Sequence, residues 1–307
     1  VALCGRRPEL LRGLAEELKV RWTTPRMEEV LESAEVDAVS VTTHWRDHLP
    51  VARAALAAGK HVLLEKPMAC NARQCAELLE CAERARGYLL VGHVCRFDPR
   101  VSLARQAIQE GRLGRIVSMH AKRNLPRAPG SLRLDKIGPL MGDGIHDADL
   151  MMWFLGEVPS RVFARQVRVH DFTYPDLGWA LLEFGKSAVG VIETLWCLPP
   201  NVPTAIDARL EVVGTEGMLT IDCSQPGLAV CDSQGLRFPD TAYWPRQHGR
   251  QVGALAWELE YLAACIHHGE APRVITPREA ARAVAVMERA EQSADEGRPL
   301  PIECPFV

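Results

Sequence analysis

The apolar positions of the first hundred residues alternate between short continuous runs and longer stretches with an apolar residue every three or four positions. Val36, Ala38, Val39 and Val41 form one such run, the pattern of a strand covered on both faces. Residues 47–59 then read as a helix, with Asp47 as N-cap, Pro50 in the first turn and Gly59 as the stop. His61-Val62-Leu63-Leu64 is a second buried strand. Two parallel strands joined by a crossover helix bring Thr43 and Lys66 to the carboxyl edge of one sheet, where open α/β sheets bind ligands. A strand at residues 1–4 and a helix from Pro8, with Leu10, Leu11, Leu14 and Leu18 on its apolar positions, precede this unit. A short helix from Thr24-Pro25 through Leu31 leads into it. After it come a helix capped by Asn71, with Cys75, Leu78, Leu79 and Ala82 on one face, a strand over 88–94 and a helix over 101–110.

From Arg115 the rhythm changes. Strands are expected at 116–121, 161–169, 179–184, 188–195, 207–213 and 218–222. Arg209-Leu210-Glu211-Val212 alternates clearly enough to mark a sheet with one face packed and the other freer. Gly214-Thr215-Glu216-Gly217 is a tight turn between two of these strands. Residues 254–267 and 277–292 are amphipathic helices. The pattern thus predicts two domains in an α/β chain whose second half is an α+β domain.

Composition narrows the function without naming it. The 307 residues carry a formal net charge of -3, with 47% hydrophobic and 24% charged residues. Nothing there favours a nucleic acid or a membrane surface as partner, and no apolar run is long enough to span a bilayer. None of the ten cysteines is spaced as C-x-x-C, so free core thiols in a reducing, cytoplasmic compartment are expected, and no metal site. Residue 1 is Val and already lies in a strand. A dinucleotide-binding fold begins with an earlier strand and a glycine-rich turn, so the chain is expected to be part of a longer reading frame, with the place of any signal peptide upstream.

Glu65-Lys66-Pro67, following A-G-K-H-V and about 20 residues after Thr42-Thr43, resembles the signature of the Gfo/Idh/MocA oxidoreductases. Arg96-Phe97-Asp98-Pro99 is similar to the family's R-F-x-P domain junction, which implies domains of 1–98 and 99–307. Gly142-Asp143-Gly144-Ile145-His146-Asp147-Ala148-Asp149-Leu150 resembles its D-x-G-x-H-D-x-D-L segment. The resemblance implies a Rossmann-like dinucleotide-binding domain, incomplete at its N-terminus, joined to a domain with a large, mostly antiparallel, open-faced sheet. It also implies hydride transfer between a nicotinamide cofactor and a carbinol of a sugar, an inositol-like polyol or a derivative. A homo-oligomer formed through the open sheet face follows from the same likeness. The fold is also similar to dinucleotide-binding co-regulators that sense ligands without catalysis. Keeping both Lys66 and His146 argues against that alternative, and Gly142 is the one feature favouring it.

The resemblance assigns cofactor contacts to Gly5, Arg6, Thr42, Thr43, His44, His48, Glu65, Lys66 and Arg96. His44 stands where the family has Pro, and Val94 where relatives often have Asn, which changes the local surroundings on the nicotinamide side. An NAD-specific fold carries an acidic residue near position 5 for the ribose hydroxyl. Gly5 followed by Arg6 and Arg7 favours a 2′-phosphate instead, hence NADP over NAD, unless the arginines are only solvated loop charges. For the chemistry, the Lys66 ammonium is suited to holding the reacting oxygen. His146, placed at the start of a helix whose end amides disfavour imidazolium, is suited to taking its proton. The family commonly has Asp where Gly142 stands. Asp143 therefore either takes over its orienting role through a local backbone shift or only caps the helix. Arg123 and Asn124 are candidate substrate contacts beside Lys66, Asp143 and His146, with Trp196 and His248 as further possibilities.

Overall fold

The computed structural model describes residues 1–225, 227–233 and 235–306. Short apolar runs near the N-terminus form parallel strands: β1 (Ala2–Cys4), β2 (Trp22–Thr24), β3 (Ala38–Val41), β4 (His61–Glu65) and β5 (Leu89–Gly92). Between them lie α1 (Pro8–Leu18), α2 (Met27–Glu32), α3 (His48–Ala57) and α4 (Ala72–Arg84). Among the described residues β1 pairs only with β2, while β3, β4 and β5 form a separate three-stranded sheet in that order. The Asn71 side chain accepts from the Gln74 amide at 2.9 Å, and Cys75, Leu78 and Leu79 are buried, as the periodicity of α4 requires.

Two local expectations need correction. β3 is not covered on both faces: Ala38 and Ser40, on one face, are exposed, while Val39 and Val41, on the other, pack against the core. Asp47 precedes α3 but makes no cap bond. Residues 45–47 instead form a 3₁₀ turn, and His44 Nδ1 accepts the Arg46 amide at 3.2 Å.

The second half opens with α5 (Pro99–Gln109), where Asp98 caps the helix by accepting from the Arg100 amide. Its strands are β6 (Ile116–Asn124), β7 (Arg161–Val167), β8 (Leu177–Phe184), β9 (Ala188–Leu195), β10 (Asp207–Gly214) and β11 (Met218–Asp222). With a last short strand at Leu300–Pro301 next to β7, they form a seven-stranded sheet in the order β11-β10-β6-β9-β8-β7 and the C-terminal strand. Every neighbouring pair is antiparallel except β6 and β9. Alternation puts Met119, Ala121, Val162, Ala164, Leu182, Ile192, Leu210 and Val212 on the buried face. The other face leaves Trp179, Leu181, Val189 and Val213 exposed.

Helices α6 (Arg127–Leu134) and α7 (Ile145–Leu155) follow β6, and α8 (Ala254–His268) and α9 (Pro277–Glu296) follow the sheet. α9 starts in a capping box, Thr276 with Glu279, and packs against both β7 and α4. It also accepts the Ala72 amide on Glu288 at 2.7 Å, so the C-terminal helix ties the two halves together. Among the described residues no helix is long and apolar enough to cross a membrane.

Candidate active site

Parallel strands aim their carboxyl ends at one edge, so the loops after β3 and β4 meet there. Buried His48 links them: Nδ1 lies 2.7 Å from the Pro67 carbonyl and Nε2 3.3 Å from that of Thr43. Burial lowers its pKa, and a neutral ring has one donor, best used in the shorter contact. His48 therefore braces the Lys66-Pro67 turn, leaving Thr42 and Thr43 exposed at the edge. Glu65 is mostly buried; its carboxylate accepts the Lys66 amide at 3.2 Å, and burial raises its pKa.

The Lys66 ammonium reaches across to the second half. It donates to the Gly142 carbonyl and lies 3.5 Å from Asp143 Oδ1. Leu140–Gly144 form a single π-helical turn running directly into α7. Such a turn holds one more residue than an α turn and recurs at functional sites. It presents Asp143 to Lys66, while Gly142 packs against Trp196. Asp143 Oδ2 accepts the Trp196 indole N–H at 2.8 Å and lies 3.8 Å from the Arg133 guanidinium.

His146, one turn on, is 6% exposed, and its Nδ1 has no hydrogen-bond partner among the described residues. Its pKa is held well below the usual imidazole value by burial first and then by Lys66, Arg123, His93 and Arg133. The neutral state expected from helix-end amides thus arises from desolvation and neighbouring cations. His93, after β5, meets His146 edge-on with ring centroids 5.9 Å apart. It is fully buried, pushed down to about 4 by that burial, and neither ring nitrogen is hydrogen-bonded among the described residues. Its Nδ1 stands 3.6 Å from Asp149 Oδ2. Buried polar atoms without partners are costly, and among the described residues His93 and His146 bring three such nitrogens side by side.

Other candidates have their donors engaged within the protein. Arg96 donates to Asp149 at 2.9 and 2.7 Å, to Glu279 at 2.9 Å and to the Val274 carbonyl at 2.8 Å. Arg123 grips Asp147 at 3.2 and 2.7 Å, and Asn124 bonds Glu193 and the Leu195 amide. Gly5 opens the loop after β1, Arg6 and Arg7 are exposed there, and His248 sits with positive φ in an exposed hairpin. Trp196, one of the further possibilities for a substrate contact, instead gives its indole N–H to Asp143, and His93 joins the site without a local sequence signal.

The chain matches the model of the oxidoreductase family with an NAD-binding Rossmann fold over residues 1–93, and the GFO/IDH/MocA C-terminal domain over 101–220. It belongs to the Gfo/Idh/MocA oxidoreductase family. Among its relatives is the myo-inositol 2-dehydrogenase of Thermotoga maritima, 27% identical over 312 residues, covering 98% of this chain and 90% of that protein. The scyllo-inositol 2-dehydrogenase (NAD(+)) of Bacillus subtilis is 27% identical over 98% of this chain and 86% of its own. The crystal structure of a probable dehydrogenase from Thermotoga maritima superposes with a TM-score of 0.83 at 25% identity, covering 98% of this chain and 91% of that one. This Gfo/Idh/MocA chain is therefore an oxidoreductase with a Rossmann-type domain followed by a mostly antiparallel sheet domain.

Proposed function

We propose that this protein oxidises a secondary alcohol of an inositol-like polyol or sugar with a nicotinamide cofactor. The observation that carries the proposal is the meeting of Lys66, from the Rossmann half, with Asp143, from the turn that leads to His146. Relatives named for inositol oxidation over almost the whole chain support the substrate class.

The loops after β1 and β3 expose the Arg6 and Arg7 guanidinium groups and the Thr42 and Thr43 hydroxyls, groups that suit a dinucleotide. Gly5, Arg6, Thr42, Thr43 and His44 line its expected path, with Glu65 and Lys66 at the nicotinamide end. The cofactor, when bound, supplies hydride acceptance. Lys66 donates an N–H to the substrate oxygen and stabilises negative charge developing there. His146, kept neutral, takes the hydroxyl proton on a ring nitrogen. Asp143 fixes the ammonium from the opposite side, the role the family gives to an Asp one position earlier. Gly142, the feature favouring a non-catalytic sensor, is thus matched by a neighbouring carboxylate. Arg6 and Arg7 beside Gly5 support a preference for NADP. The exposed apolar strip on the sheet's open face supports self-association.

The test is a panel of inositols, sugars and their derivatives assayed for nicotinamide reduction with NAD and NADP at equal low concentrations. Turnover of a polyol, faster with NADP, is the expected result. No turnover on any member overturns the function, and a strong NAD preference overturns the cofactor assignment.

A further inference from the structure

Trp196 is an unusual residue to find beside a charged pair. It is 1% exposed and follows the end of β9, packed with Leu125 and Leu134. Two glycines make room for it. A Cβ at residue 142 would stand 2.5 Å from the indole Cη2, and one at residue 130 would stand 2.5 Å from the Trp196 carbonyl oxygen. Both are closer than real Cβ contacts come, so this indole and a side chain at position 142 exclude each other. The indole also has one polar atom, a donor only, which when buried needs an acceptor. It finds Asp143 Oδ2 at 2.8 Å.

We propose that Trp196 is a positioning residue that holds the Asp143 carboxylate in the orientation Lys66 needs. This rests on the dehydrogenase reading above and adds a residue to it. The two carboxylate oxygens are divided: Oδ1 faces Lys66 at 3.5 Å, and Oδ2 receives the indole N–H. Arg133, half exposed on α6, lies 3.8 Å from Oδ2 and over the Trp196 ring at 5.7 Å. It is a competitor for the same carboxylate. With the indole N–H in place, a rigid neutral donor occupies Oδ2 and the turn toward Arg133 is blocked. Without it, the carboxylate is free to swing to the guanidinium, whose paired donors suit both oxygens, and the ammonium loses its partner. Gly142, the departure from the family pattern, is thus half of an exchange: the carboxylate moves on by one residue, and the emptied position admits the indole that secures it.

The experiment is a double-mutant cycle on the full chain, using Trp196→Phe, which keeps a ring but loses the N–H, and Asp143→Asn. Trp196→Phe is expected to lower kcat about tenfold or more, with the cofactor KM changed less than about twofold. In the Asp143→Asn background it is expected to cause no further loss. An equal loss in both backgrounds, or none in either, overturns the proposal. A readout independent of turnover is the ¹⁵N-resolved indole resonance of Trp196. Asp143→Asn is expected to shift it upfield as the charge-assisted bond weakens; an unmoved resonance also overturns the proposal. If the unmodified protein turns over no polyol, the function fails, and this resonance alone decides whether Trp196 holds Asp143.

Discussion

Lys66 Nζ and Asp143 Oδ1 stand 3.5 Å apart, and the two groups belong to different halves of the molecule. The ammonium is delivered by the end of β4 and the carboxylate by the π turn before α7. Neither half holds this pair alone, so the pair is a property of how the halves are locked together.

The lock makes the first prediction. Arg96 is 2% exposed and satisfies Asp149 on α7 and Glu279 on α9. Removing one partner of a buried ion pair leaves the other charge stranded, at a cost of about 3–5 kcal/mol. Arg96→Ala should lower the urea midpoint accordingly, with Asp149 the group left without compensation. A change under about 1 kcal/mol contradicts the reading of Arg96 as a brace.

The state of His146 makes the second. A base must be unprotonated, and burial with neighbouring cations holds its pKa well below 6.5. Activity in the oxidation direction should therefore stay level from neutral pH down past 6.5 and fall only at more acid pH. The kcat/KM profile against pH measures this. An acid limb centred at 6.5 or higher would mean that the imidazole is not held neutral. His146→Gln should cut kcat by about 100-fold or more.

Much of this arrangement is legible in the chain, and the rest is hidden for definite reasons. Periodicity reveals the strand–helix–strand unit ending at Lys66, the face of α4 and the strands of the second sheet, since burial imposes period on local sequence. The Asp143 side chain is another matter. Whether it orients Lys66 or caps a helix depends on one extra residue in a turn, and its indole partner there, Trp196, is distant in sequence. Arg123 and Asn124 look like cleft donors because they are polar residues at a strand end. Their carboxylate and amide partners, Asp147, Glu193 and the Leu195 amide, come from other elements. His93 carries no signal, because an imidazole stripped of partners has no sequence pattern.

Glu258 makes the third prediction. It is 1% exposed on α8, one carboxyl oxygen lacks a partner among the described residues, and burial with nearby Glu65 pushes it up to about 8. A carboxyl raised in the folded state binds a proton that the unfolded chain has released. Its contribution is intact at pH below about 4.5 and is lost as pH rises toward 8. Glu258→Gln keeps the shape without the charge. Its thermal midpoint should exceed that of the unmodified protein at pH 9, by about 5 °C for a difference on the order of 3 kcal/mol, and match it near pH 5. Equal midpoints at both pH values contradict the assignment.

The most direct measurement is the turnover of Lys66→Ala on whichever polyol the unmodified protein oxidises, alongside cofactor affinity by fluorescence titration. The proposed mechanism predicts a kcat lowered by roughly 100-fold or more while the fold is retained, because the variant removes the ammonium that faces Asp143. A variant turning over within a few-fold of the unmodified protein would contradict it.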